Sequence, residues 1–211
     1  IRLMEKWEIP GGALAVMRDG EILLARGYGY ADVESGELVQ PDSLFRIASV
    51  SKPFTAVAAL QFVEAGSLSL DTPVFQFLDD LQPLEGIDVD PRVEEITIRH
   101  LLEHSGGWDR DVSYDPMFMS SDIARAMGKP EPADCPTIIR YMLGQPFDFD
   151  PGSQYAYSNF GYCILGRSIE KASGVPYGAY VDTHLLDPIG IEDMRLGHSL
   201  LSDRYPGEVH Y

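Results

Sequence analysis

Basic residues are scarce in this 211-residue chain: 16 Lys and Arg stand against 33 Asp and Glu, a formal charge of −17. Such a surface repels nucleic-acid phosphates and anionic membranes, so no nucleic-acid partner is expected, and a solvated acidic surface is the simplest reading of the excess. Cysteine is nearly absent. Cys135 and Cys163 form no C-x-x-C, sit in unrelated contexts, and read as two free thiols. No apolar run approaches the roughly 20 residues that span a bilayer. The first residues carry no signal-peptide pattern. The chain opens on Ile1 within a helical pattern, and is therefore expected to begin inside a longer protein; its compartment is left open. There is no G-x-S-x-G, which argues against an α/β-hydrolase nucleophile elbow. Gly27-Tyr28-Gly29 lacks the last glycine of a dinucleotide loop, and Asp148-Phe149-Asp150 lacks the rest of a calcium loop. No cofactor is implied.

What is present is the composition of a globular protein, 45% hydrophobic and 23% charged, sufficient for one large domain or two small ones. Residues 1–7 read as the tail of a helix stopped by Pro10 and Gly11-Gly12. Ala13 to Met17 and Ile22 to Tyr30 read as strands, and Asp19-Gly20 between them supplies the positive φ angles of a tight hairpin. Glu34 to Asp42 is expected to be a loop. From Ser49 to Glu64 the pattern turns helical and stops at Gly66. Thr97 can cap a helix over 98–104, and further helices are predicted over Pro136–Leu143, Asn159–Ser173 and from Pro176 towards Leu186. The expected organisation is an N-terminal piece of an α/β domain over 1–48, followed by a mostly helical lobe over 49–205. A lone hairpin is marginal in water, and nothing after residue 187 reads as a strand that could complete its sheet.

Ser49-Val50-Ser51-Lys52 fits S-x-x-K. A serine hydroxyl needs a base to take its proton, and three residues of helix bring serine and lysine to one face. A helix N-terminus adds free N–H groups and the positive dipole end, which favour developing negative charge. The four-residue pattern is weak alone, because Ser168-Ile169-Glu170-Lys171 fits it equally well within a helix interior. Ser49 instead follows a loop, and Pro53 marks an early helical turn. Tyr157-Ser158-Asn159 follows the turn Asp150-Pro151-Gly152 and precedes a helix. Its tyrosine can accept or relay a proton beside a cation, and its asparagine can orient an amide or ester.

The order of these segments carries more than any one of them. Phe45 to Lys52, then Thr97-Ile98-Arg99-His100-Leu101-Leu102 running to His104-Ser105-Gly106-Gly107, then Pro151-Gly152 leading to Tyr157-Ser158-Asn159-Phe160-Gly161-Tyr162, together with Ile9-Pro10-Gly11-Gly12, resemble the family containing class C β-lactamases, DD-peptidases and related serine esterases. The resemblance implies an α+β, β-lactamase/transpeptidase-like fold: an antiparallel sheet with flanking helices, plus an all-helical lobe. It maps Ser49 to an acylated nucleophile, Lys52 and Tyr157 to its proton-accepting partners, and Asn159 to a substrate-orienting side chain. The substrate class it implies is a small-molecule ester, peptide or β-lactam. Tyr-Ser-Asn leans towards ester or peptide hydrolysis, since many class C β-lactamases carry Tyr-Ala-Asn. The family's third element, K-T-G or H-x-G on a late strand, supplies an oxyanion donor and has no match after Tyr157; Lys171-Ala172-Ser173-Gly174 has the wrong spacing. The sheet is therefore expected to need a further segment or a second polypeptide.

Two readings compete. His100-Leu101-Leu102-Glu103-His104 fits H-x-x-E-H, a zinc-peptidase pattern that would need a third ligand downstream. A helix ending at His104 and the family's own glycine turn there favour structural histidines. A non-catalytic binding relative of the same fold would have no chemical need for the serine, lysine and tyrosine together.

Overall fold

A computed structural model describes residues 2–198 and 201–210. The chain divides into two compact units, one of residues 1–49 with 193–211 and one of residues 50–192.

The first unit opens with helix α1 (Arg2–Trp7) and a hairpin of strands β1 (Gly11–Arg18) and β2 (Glu21–Asp32). The expected helix over 1–7 is present from Arg2 onward; Ile1 lies outside the described residues. Asp19 and Gly20 adopt φ angles of 53° and 84°, the left-handed pair that a two-residue hairpin turn requires. The G-x-G of this strand has a packing cause: a Cβ on Gly27 would lie 2.0 Å from the Val39 carbonyl oxygen. Val39 directly follows strand β3 (Glu37–Leu38), which pairs antiparallel with the end of β2. The stretch 34–42 is thus not wholly a loop, and the expectation is corrected. Glu37, of low strand propensity, and Leu38 are held there by pairing with β2, a contact that local patterning does not encode.

The sheet runs β1-β2-β3 and is not closed. Leu14, Val16, Met17, Ile22, Leu23 and Leu24 are all exposed on the hairpin. Towards the end of the unit, isolated parallel bridges join Asp32 to His210 and Leu44 to Glu208, and Arg46 Nε donates to Glu208 Oε1 at 2.7 Å.

The second unit is helical: α2 (Lys52–Glu64), α3 (Val74–Phe77), α4 (Ile98–Leu102), α5 (Ser120–Ala126), α6 (Cys135–Met142), α7 (Asn159–Ser173) and α8 (Tyr177–Val181). Helix α7 is its centre, packing on α2, α4, α6 and α8. Its bounds are set by local chemistry. Ser158 Oγ accepts from Gly161 N–H at 3.0 Å, and Gly174 ends the helix at φ 73°. Its buried face presents Phe160, Ile164, Leu165 and Ile169 at the three- and four-residue spacing of one helix side. The Lys-Ala-Ser-Gly stretch is the tail of this helix and lies on no strand. Lys171 Nζ donates to Asp79 and, at 2.9 Å, to Asp80 Oδ1, while Arg167 donates to Asp80 Oδ2 at 2.7 Å. The Lys171 bond is the main cause that holds the Asp80 carboxyl down at about 2.

One expectation fails outright. Cys135 and Cys163 are not free thiols; they form a disulfide with Cα atoms 6.1 Å apart. The packing of α6 on α7 brings together two residues 28 apart in sequence, which spacing alone does not reveal.

Candidate active site

Helix α2 begins at Lys52, helix α7 begins at Asn159, and the two helices pack on each other. Two residues 107 apart in sequence thereby meet: Lys52 Nζ donates to Asn159 Oδ1 at 2.6 Å. The same ammonium group lies 4.7 Å from the Tyr157 ring centroid and 5.5 Å from that of Tyr162. Attraction of a cation to an aromatic face adds about 0.5–1 kcal/mol at such exposed or half-buried sites. On the Tyr157 ring a second cation, Arg110, lies 5.1 Å from the centroid.

The segment that carries Tyr157 is held by His104, in the structural role that the sequence favours over a zinc ligand. Ala156 N–H donates to the His104 carbonyl at 2.8 Å, and Ser158 N–H donates to His104 Nδ1 at 3.2 Å. The residues on both sides of Tyr157 are thus pinned to one histidine. The His104 ring also lies 4.7 Å from Tyr157, 4.9 Å from Tyr162 and 5.7 Å edge-on from Tyr155. Burial, and then the Lys52 charge, hold the His104 imidazole below its ordinary pKa. A neutral ring fits the geometry, because Nδ1 needs a lone pair to accept from Ser158. Burial pushes the Tyr162 phenol up.

Asn159 has a further partner that no motif indicates: its Nδ2 donates to Asp115 Oδ2 at 2.7 Å. The contacts that His104, Tyr162, Arg110 and Asp115 make with this cluster were not foreseen from the sequence. His104 alone left a signal, in the His-Ser-Gly-Gly turn; the others depend on contacts across the fold.

Ser49 is exposed and sits in the 3-10 turn Ala48–Ser51 that leads into α2. The residue before it, Ala48, has a φ of 45°, a left-handed conformation that costs an alanine on the order of 1–2 kcal/mol. Strain of this kind next to an exposed hydroxyl is a feature of functional turns more than of plain helix starts. The competing Ser168 is 1% exposed and its Oγ donates back to the Ile164 carbonyl at 2.9 Å, so no reagent reaches it in the folded chain.

The zinc pattern does not keep its helical spacing. Helix α4 ends at Leu102 and His104 turns left-handed at φ 56°, so His100 and His104 are not successive positions on one helix face. His100 Nδ1 accepts from Thr97 N–H at 3.4 Å and His104 Nδ1 accepts from Ser158 N–H at 3.2 Å. Among the described residues, no three His, Cys, Asp or Glu side chains are grouped to hold a metal ion. Among the described residues, no helix is long and apolar enough to cross a membrane.

The sequence and the fold also resemble those of known proteins. The family described as Beta-lactamase matches residues 2–210. Esterase EstB of Burkholderia gladioli is 37% identical over 189 residues, which are 86% of this chain and 46% of that protein. The octameric penicillin-binding protein homologue from Pyrococcus abyssi superposes with a TM-score of 0.71 at 31% identity, covering 90% of this chain and 41% of its own. A class C beta-lactamase superposes with a TM-score of 0.69 at 25% identity, covering 91% and 47%. The chain spans about half the length, or less, of the relatives it matches.

Proposed function

Since this chain belongs to the Beta-lactamase family, whose relatives here include an esterase, a penicillin-binding protein homologue and a class C β-lactamase, we propose that it forms the nucleophile-bearing part of a serine hydrolase working through an acyl-enzyme on an ester or amide. Ser49 Oγ attacks the carbonyl carbon. Its proton passes to Lys52 or Tyr157, and the C–O or C–N bond then breaks as the leaving group takes a proton from the same pair. Water attacks the Ser49 ester in the second half, giving up its proton along the same route and releasing the acid. Asn159 orients Lys52 through its carbonyl oxygen and offers the substrate amide or ester a polar neighbour. Ester and peptide substrates come ahead of β-lactams on the Tyr-Ser-Asn sequence. The full-length protein, with whatever residues complete the oxyanion site, is the proposed catalyst.

The observation that carries this reading is the meeting of Lys52, Tyr157 and Asn159 at the heads of two packed helices, with a lysine to asparagine bond of 2.6 Å. A structural cap and a solvated lysine would require no such convergence. The test is covalent: treat the full-length protein with a fluorophosphonate probe and map the adduct by mass spectrometry. The adduct is expected on Ser49 and absent from the Ser49→Ala variant, whose fold should survive. Labelling elsewhere, or none in the folded protein, would overturn the proposal.

A further inference from the structure

Asp115 sits at the start of a 3-10 turn (Pro116–Phe118) and is half-buried. Its two carboxylate oxygens have different partners. Oδ1 accepts from Met117 N–H at 3.0 Å, which ties the side chain to its own backbone. Oδ2 accepts from Asn159 Nδ2 at 2.7 Å, across 44 residues of sequence. On the other side of the same amide, Asn159 Oδ1 accepts from Lys52 Nζ at 2.6 Å.

An asparagine side chain can turn over about its last torsion at little intrinsic cost, exchanging its oxygen and its NH2 group. Here that freedom is removed by chemistry at both ends. A lysine amine placed against Asn159 must find an acceptor, and a carboxylate must find a donor. Only the orientation with the oxygen on Lys52 and the NH2 on Asp115 satisfies both; the reverse would face NH2 with ammonium and oxygen with oxygen. Because Oδ1 of Asp115 is anchored on Met117, the carboxylate is itself a fixed reference point. Hydrogen bonds to a charged partner are roughly twice as strong as neutral ones, and here both ends of the amide have one.

We infer that Asp115 is a positioning residue for the reaction proposed above: it locks the Asn159 amide with its oxygen towards Lys52 and so fixes where the Lys52 nitrogen stands. The inference rests on the reading of Lys52 as the partner of Ser49. Asp115 acts through Asn159 and touches no reacting atom. Without it, the amide gains a second orientation and Lys52 loses the fixed acceptor that aligns its nitrogen. Misplacement of a catalytic group by about 1 Å can cost on the order of a hundredfold in rate.

The test compares Asp115→Ala and Asp115→Asn with the parent in the full-length protein, reading the kinetics of fluorophosphonate labelling of Ser49. The maximal labelling rate should fall by about tenfold to a hundredfold in Asp115→Ala, with the concentration for half-maximal rate unchanged. Asp115→Asn should fall less: its single oxygen can serve Asn159 or Met117 but not both. Circular dichroism at the assay temperature establishes that each variant is folded, and should the alanine variant not fold, the near-isosteric asparagine variant alone decides. A folded variant that labels at the parent's maximal rate overturns the role of Asp115 while leaving Ser49 in place. A parent protein that does not label on Ser49 overturns the underlying hydrolase reading instead.

Discussion

Replacing His104 separates three contributions that the structure brings to one side chain. The imidazole accepts a hydrogen bond from the buried Ser158 backbone, contacts three tyrosine rings, and occupies a left-handed backbone position at φ 56°. Alanine removes the acceptor, which leaves the Ser158 N–H unsatisfied at about 1–3 kcal/mol. It also removes the ring contacts, worth about 1 kcal/mol together. His104→Ala should therefore lower stability by about 2–4 kcal/mol. His104→Asn is a sharper probe. Asparagine tolerates the left-handed region better than most residues, and its Oδ1 falls near the place of Nδ1, so only the ring contacts are lost and the cost should be about 1 kcal/mol. The two variants also differ from the parent in pH response. The folded His104 pKa lies below its ordinary value of 6.5, depressed by burial and then by Lys52. Between those two values the unfolded chain binds more protons than the folded one. The contribution is therefore fully present above pH 6.5 and is lost as pH falls towards the folded pKa. Urea unfolding at about pH 7.5 and about pH 5 measures both effects, and the histidine part of the acid-side loss should vanish in His104→Asn. If His104→Asn costs as much as His104→Ala, or keeps the parent's full loss on acidification, the assignment of the Ser158 hydrogen bond and of the neutral ring is wrong.

Two further outcomes follow from the helix at the centre of the second unit. Ser158→Ala removes the cap of α7 and should cost about 1 kcal/mol by urea unfolding; no change would mean that the Gly161 N–H finds another acceptor. Opening the Cys135–Cys163 link by paired Cys→Ser replacement should cost about 2–4 kcal/mol, since it closes a loop with ends 28 residues apart. Titration of the denatured, unreduced protein with a thiol reagent should find no free cysteine, and two reactive thiols would refute the link.

The features legible in the sequence are those whose cause is local. The hairpin announced itself in Asp19-Gly20, where only a few residue types accept two positive φ angles. The end of helix α7 was marked by Gly174 because a left-handed terminator sits next to what it terminates. Lys52, Tyr157 and Asn159 came from the order of three segments; no spacing rule relates residue 52 to residue 159. What stayed hidden is pairwise and distant. Strand β3 exists through pairing with β2, the disulfide through the packing of α6 on α7, and the Asp115 contact through a turn that no pattern marks. His104 was legible as a structural histidine because the helix end and the glycine turn beside it are local, but its bond to Ser158 spans 54 residues and no pattern marks it.

Helix α7 is fastened at its two ends by bonds of different kinds. Near the head, one turn beyond Asn159, Cys163 is joined covalently to Cys135; at the tail, Arg167 and Lys171 are joined ionically to Asp79 and Asp80. Salt screens the second kind of bond and leaves the first untouched, whereas a thiol reductant does the reverse. A laboratory worker thus holds two independent dials on one helix: reductant loosens the end that presents Asn159 to Lys52, and ionic strength loosens the end remote from it. Loss of labelling at Ser49 should follow the first dial far more closely than the second.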